Sequence, residues 1–201
     1  TEQTLLKSQK KLSIVVFNDK VVFNNSVGDI NAININNGKL IWQTPTLSRS
    51  VYSKIMFFKN SDIVGDSNNL YFSNNQNSFF SIDQKNGFIN WSQKVNSSIR
   101  PTIVEKLIFT VSEEGYLIIL DKQSGTILRS TYIFDSLKKK KNKNVIPVGL
   151  VVGKKNIYLT TSNGKLLIID ISNGKAKSVI NIDRQKISRP FILNKSLYII
   201  K

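Results

Sequence analysis

The 201-residue chain contains no cysteine and no histidine. Without cysteine there is no disulfide, no thiol nucleophile, no cysteine-held zinc and no lipid-attachment thiol in this stretch. Without histidine there is no Ser-His-Asp relay, no imidazole base and none of the commonest metal ligand. Long apolar runs are also missing. The longest, such as SIVVF and YLIIL, are strand-sized, far short of the ~18 residues that span a bilayer, so no transmembrane segment is expected. The opening TEQTLLKSQKKL has no apolar signal-peptide core, which leaves a cytosolic protein or a mature or truncated chain as the expectation. Acidic residues are few, 13 against 29 Lys+Arg, for a net charge of +16. Such an excess favours anionic partners: nucleic acid, an acidic protein face or an anionic membrane surface. It is equally what solvated surface charge looks like in a chain rich in Asn, Ile and Lys.

What the chain has in quantity is self-similarity, the first property to settle. GDINAININNGKLIW from Gly28, NSFFSIDQKNGFINW from Asn77, GYLIILDKQSGTILR from Gly115 and GKLLIIDISNGKAKS from Gly164 share one plan. Their second glycines are Gly38, Gly87, Gly125 and Gly174, spaced by 49, 38 and 49 residues. Four residues before each stand Asn34, Asp83, Asp121 and Asp170; four after each stand Trp42, Trp91, Arg129 and Ser178. The runs between alternate with period two and are dominated by Val, Ile, Phe and Tyr, as strands require. The breaks NNGK, KNGF, QSGT and SNGK carry the glycine that supplies positive φ in a tight hairpin. The Asp or Asn ahead of each break accepts backbone N–H bonds from the turn, so Asp83, Asp121 and Asp170 read as turn caps rather than catalytic acids. Glu113 and Glu114 are adjacent in a loop, where side chains diverge.

Each copy resolves into four short strands, about 101–105, 106–112, 116–121 and 126–133 in the third. Four-stranded antiparallel units at ~40–50 residues per repeat are the sequence signature of a β-propeller. The expectation is therefore an all-β fold: one propeller segment over 1–201, with blades at about 13–46, 62–95, 101–133 and 146–182 and part of a fifth at 187–201. One blade cannot bury both faces, and stacked blades bury each other's.

The pattern G-x-x-x-A-x-x-x-x-x-G-x-x-x-W, met in full at 28–42, resembles the quinoprotein-type (PQQ-like) propeller repeat. Within that class, SSIRPTIVEKLIFTVSEEGYLIILDKQSG and VIPVGLVVGKKNIYLTTSNGKLLIIDISNGK look most like the BamB family of outer-membrane protein assembly factors. The resemblance implies a non-catalytic periplasmic scaffold, associated with the outer membrane, that binds the β-barrel insertase and assists barrel insertion. It also implies a ring of about eight blades, so the chain is expected to be a fragment. Two alternatives stay open: a fragment of a pyrroloquinoline quinone-dependent dehydrogenase, and a general protein-interaction propeller. The dehydrogenase branch uses calcium-binding carboxylates, a stacking Trp and often adjacent cysteines. Here Trp42 and Trp91 recur in register, which fits blade packing, and no cofactor or metal is expected.

Binding belongs where the repeat breaks. The connections around 44–61 and 132–147 are each 11 residues longer than the middle one. The second carries Lys138, Lys139, Lys140, Lys141 and Lys143, read as an electrostatic contact with an acidic face or anionic lipid, or as a solvated loop. No aromatic residue is interleaved, which disfavours nucleic acid. IRP at 99–101 and SRP at 188–190 each open a first strand, where proline needs no ladder N–H. Ile99, Arg100 and Arg189 are thus candidate partner-binding residues at one rim. In the BamB family a Leu- and Arg-rich interblade connection in a comparable place contacts the insertase; only that general position carries over.

Overall fold

A computed structural model of the protein describes residues 12–25, 28–46, 59–137 and 145–201. Among them there is no α-helix, only a single 3₁₀ turn at Phe134–Ser136. The rest is strand and turn. Blade 1 is β1 (Ile14–Phe17), β2 (Lys20–Asn24), β3 (Ile30–Asn34) and β4 (Leu40–Thr44). Blade 2 is β5 (Val64–Gly65), β6 (Asn69–Asn74), β7 (Ser78–Asp83) and β8 (Ile89–Gln93). Blade 3 is β9 (Thr102–Val104), β10 (Leu107–Val111), β11 (Tyr116–Asp121) and β12 (Ile127–Tyr132). Blade 4 is β13 (Pro147–Val152), β14 (Asn156–Thr161), β15 (Lys165–Asp170) and β16 (Ala176–Asn181). A fifth sheet holds β17 (Phe191–Leu193) and β18 (Ser196–Tyr198). Every sheet is a meander in sequence order, antiparallel throughout.

Equivalent residues occupy the same register in each blade. Val22 pairs Ala32, which pairs Trp42. Tyr71, Ser81 and Trp91 repeat that ladder in blade 2. Phe109, Ile119 and Arg129 repeat it in blade 3. The hairpin between the third and fourth strands has one construction each time. The N–H of Gly38, Gly87, Gly125 or Gly174 bonds the carbonyl of the Asn or Asp four residues earlier at 2.8–3.0 Å. The capping oxygen takes turn N–H groups: Asp83 Oδ1 accepts from Lys85 and Asn86, Asp121 Oδ1 from Gln123 and Ser124, Asp170 Oδ1 from Ser172. Of each Asn-Gly or Ser-Gly pair only the glycine has positive φ. A two-residue type I′ hairpin would need both; the longer loop with its i→i+4 bond needs one.

Alternate faces of each sheet bury against the neighbouring blade. Val22, Ile30 and Ala32 of blade 1 meet Ile63, Leu70, Phe72 and Ile82 of blade 2. Tyr71 and Phe79 of blade 2 meet Ile108, Ile118 and Leu120 of blade 3. Phe109, Leu117 and Ile119 of blade 3 meet Leu150, Leu159, Leu167 and Ile169 of blade 4. At about 1.5–3 kcal/mol for each fully buried large apolar side chain, these three seams dominate the cohesion of the stack.

A second tie repeats at each of these three seams. The Trp42 indole N–H donates to the Gln84 carbonyl, Trp91 to the Lys122 carbonyl and the Arg129 guanidinium to the Ile171 carbonyl, each at 3.2 Å. In every case the acceptor directly follows the turn-capping Asp of the next blade. That blade's glycine provides the seat. A Cβ on Gly87 would lie 2.6 Å from the Trp42 ring, and one on Gly125 would lie 2.5 Å from the Trp91 ring. Arg129 thus replaces the indole while keeping its N–H.

Candidate partner-binding rim

Two residues before the first-strand residue that pairs with Val22, Tyr71, Phe109, Tyr158 or Tyr198 stand, blade by blade, Ser13, Asp62, Arg100, Gly149 and Arg189. These first strands converge. An open cavity of about 440 Å³ is lined jointly by Leu12–Val15 of blade 1, Asp62 and Ile63 of blade 2 and Arg100 of blade 3. The Ser13 hydroxyl accepts the Ile63 N–H at 2.8 Å across the first seam.

Proline positions both arginines. Pro101 and Pro190 sit directly before β9 and β17, where no ladder N–H is required. Arg189 is half-buried and held in place. Its stem crosses Gly149, where a Cβ would lie 2.5 Å from Arg189 Cγ, and its Nε donates to the Leu150 carbonyl at 3.2 Å. Burial lowers the Arg189 pKa first, and the positive charge of Arg100 lowers it further, against an opposing pull from Asp62. Arg100 is exposed. The ion pairs among the described residues are Lys122–Asp66 and Lys177–Asp170, so neither rim arginine is closed on a carboxylate there. The arrangement is two guanidinium groups within electrostatic reach of each other. It suits an acidic or carbonyl-rich partner segment, which Arg binds in bidentate fashion.

Ile99 stands beside Arg100 in sequence but is 4% exposed, in the core with Phe109, Val111 and Leu150. It offers a partner no surface and anchors the residue that does. Lys138, Lys139, Lys140, Lys141 and Lys143 lie outside the described residues, as does most of the connection around 44–61. Trp42, Trp91, Gly38, Gly87, Gly125, Gly174, Asp83, Asp121 and Asp170 occupy the turns and seams described above, away from the rim. Glu114 accepts a hydrogen bond from the Asn96 amide and does not converge with Glu113. Sequence reasoning missed Asp62, the acid at the same repeat position as the two arginines, and Gly149, whose lack of a side chain gives Arg189 its path. Only the pairing of first strand to second, with its register shift between Pro147 and Gly149, brings Gly149 to that position.

Comparison with known proteins places this architecture. The family model described as outer membrane protein assembly factor BamB matches residues 1–131. A curated outer membrane protein assembly factor BamB from Legionella pneumophila (strain Paris) is 28% identical over 148 residues, covering 72% of this chain and 33% of that protein. The chain thus spans about a third of the length of that relative. Among solved structures, BamB from Moraxella catarrhalis superposes over 92% of this chain and 68% of its own, with TM-score 0.58 and 15% identity. The Cps50 (Swd1) β-propeller domain of Myceliophteria thermophila covers 95% of this chain and 62% of its own at TM-score 0.71 and 11% identity. The computationally designed Ika8 protein covers 96% and 58% at TM-score 0.67 and 10% identity. At such identities the structural matches speak for the fold alone.

Proposed function

From the premise that this chain belongs to the BamB family of outer membrane protein assembly factors, we propose that it is a non-catalytic propeller scaffold. In this reading it works on the periplasmic side of the outer membrane. It binds the β-barrel assembly machinery through its inner rim and so assists insertion of barrel proteins. The observation that carries the reading is the Arg100–Arg189 pair. Two cations stand at the mouth of the converging strands, one fixed by Pro190, Gly149 and the Leu150 carbonyl, the other exposed and without a carboxylate in contact among the described residues.

The contact itself divides between two kinds of charge. Arg100 and Arg189 supply directional hydrogen bonds at a preorganised place. Lys138, Lys139, Lys140, Lys141 and Lys143 supply a diffuse positive field that steers an acidic face of the partner, or anionic lipid beside it. No helix among the described residues is long and apolar enough to cross a membrane, so the scaffold reaches the machinery through loops and rim rather than through a spanning helix of this segment.

The test is capture of the purified barrel insertase. Arg100→Glu reverses an exposed charge without touching the seams. It is expected to weaken capture while the thermal melt stays where it was; undiminished capture removes Arg100 from the contact. Replacing the five lysines with glutamine is expected to flatten the salt dependence of binding, and a slope equal to that of the parent makes that loop a bystander.

A further inference from the structure

The seam between blades 2 and 3 differs from its neighbours in chemistry. On the hairpin side of the stack it opens into a cavity of about 510 Å³, within the ~300–1,000 Å³ typical of small-ligand sites. Its walls are polar. Asp66 comes from the first turn of blade 2, Tyr71 and Ser81 from β6 and β7, Asn90 from β8, and Lys106 and Lys122 from two turns of blade 3. At the equivalent positions the seam between blades 3 and 4 carries Val104, Phe109, Ile119, Leu128 and Ile171, all apolar. The seam between blades 1 and 2 carries Phe17, Val22, Ala32 and Ile41, with Gln84 as its one polar member. Tyr71 still packs on Ile108 and Ile118, but a polar side chain in a seam gives up apolar burial, so the charges, hydroxyl and amide that join it at the other four positions mark a place where the repeat departs from packing alone.

The groups are held for a ligand that both donates and accepts. The Asp66 and Lys122 charges close on each other at 2.8 Å. Asp66 Oδ1 also accepts the Asn68 and Asn69 N–H groups. The Asn90 amide donates to Asn69 Oδ1 at 2.9 Å and to Ser81 Oγ at 3.2 Å, which fixes both amide planes. The buried Tyr71 hydroxyl faces Asp66 Oδ2 at 3.5 Å, a long contact, with the Asn69 and Ser81 side chains also in hydrogen-bond reach. Burial first, together with the nearby Asp66 charge, pushes that phenol up to about 12, so it stands behind the cavity wall as a neutral O–H that orients Asp66. Lys106 and Asp121 add one charge of each sign at the mouth, so the site is balanced overall. Between the walls, a free anion or cation would have to compete with the Asp66–Lys122 pair, and at the mouth it would meet Lys106 and Asp121 together, one charge of each sign. A hydroxyl can instead donate to Asp66 and accept from Lys122 or Asn90 with the pair intact.

We infer that the cleft between blades 2 and 3 binds a neutral polyhydroxylated small molecule, a saccharide of one or two rings. This site lies on the hairpin side of the second seam and is independent of the rim arginines.

The experiment uses the full, isotope-labelled chain titrated with glucose, galactose, N-acetylglucosamine and maltose, with glucuronate and a Gly-Ala dipeptide as charged probes. Saturable shifts of the Asn69 and Asn90 side-chain amides are expected with at least one neutral sugar, at a dissociation constant on the order of 1 mM or tighter. Asn90→Leu and Lys122→Gln install the residues found at the same positions of blades 3 and 2. Each keeps the fold, checked by its melt, and each is expected to weaken binding by at least about tenfold. The inference is overturned by no saturable shift with any of the four sugars. It is also overturned by shifts that leave the cleft untouched, by affinity unchanged in both variants, or by binding of glucuronate or the dipeptide while the sugars stay silent.

Discussion

Substituting the turn glycines by alanine, one blade at a time, separates two roles that the repeat superimposes. Gly38, Gly87 and Gly125 have φ of +68°, +78° and +73°, so alanine at any of them meets the same left-handed strain of about 1–2 kcal/mol. They differ in what the new methyl meets. At Gly38 nothing among the described residues lies within 4 Å. At Gly87 the Cβ falls 2.6 Å from the Trp42 ring, and at Gly125 it falls 2.5 Å from Trp91 Cδ2. Neither indole has room to retreat, because each N–H is tied at 3.2 Å to a carbonyl of the same turn. Overpacking of that kind adds about 1–3 kcal/mol. Gly38→Ala is therefore expected to cost about 1–2 kcal/mol, and Gly87→Ala and Gly125→Ala about 2–5 kcal/mol each. Urea unfolding followed by tryptophan fluorescence reads the difference, because both indoles sit in the seams being tested. Equal losses at all three glycines would refute the reasoning, since backbone strain alone would then explain the repeat and the seat for the preceding blade would carry no weight.

Three further outcomes follow from the same geometry. Trp91→Phe keeps a ring on Gly125 but loses the donor to Lys122, a change of about 1 kcal/mol in urea midpoints, whereas Trp91→Ala removes the ring as well and should cost about 3–5 kcal/mol. Arg129→Trp restores the residue of the other two seams and should leave the melting temperature near that of the parent; a large drop would show that the guanidinium is held by more than the Ile171 carbonyl. Burial works against the Asp66 charge, but Lys122 and the Asn68 and Asn69 N–H groups outweigh it and hold the carboxyl below the ordinary 3.8. A carboxyl depressed in this way stabilises the fold above its unfolded value, and the contribution is lost as pH falls through the folded one. The NMR midpoint of Asp66 should thus lie below 3.8 in the parent and rise in Lys122→Gln.

The blade plan was legible because its hairpin demands particular residues at fixed offsets. An Asx oxygen must cap the turn and a glycine must take the left-handed position, so Asp83 with Gly87 and Asp121 with Gly125 announce themselves. The partnership across seams was not legible. Nothing in the string GTILR says that Arg129 reaches Ile171, because the acceptor is a backbone carbonyl 42 residues on and any residue supplies one. Ile99 read as rim from its place beside Arg100, but alternation turns its side chain inward, into the core around Phe109. The polar seam left a readable mark: Tyr71, Ser81 and Asn90 stand where the other blades have Val22 or Phe109, Ala32 or Ile119, and Ile41 or Leu128. Seeing it requires comparing copies for what differs rather than for what recurs.

Contact by the inner rim is tested most directly by site-specific photo-cross-linking to the barrel insertase. A photoreactive residue at Arg100 probes the rim. One at Phe88, 72% exposed just ahead of the fourth strand of blade 2, probes the outer circumference. The account predicts a cross-link from position 100 and none from position 88; a cross-link from 88 with silence at 100 would contradict it.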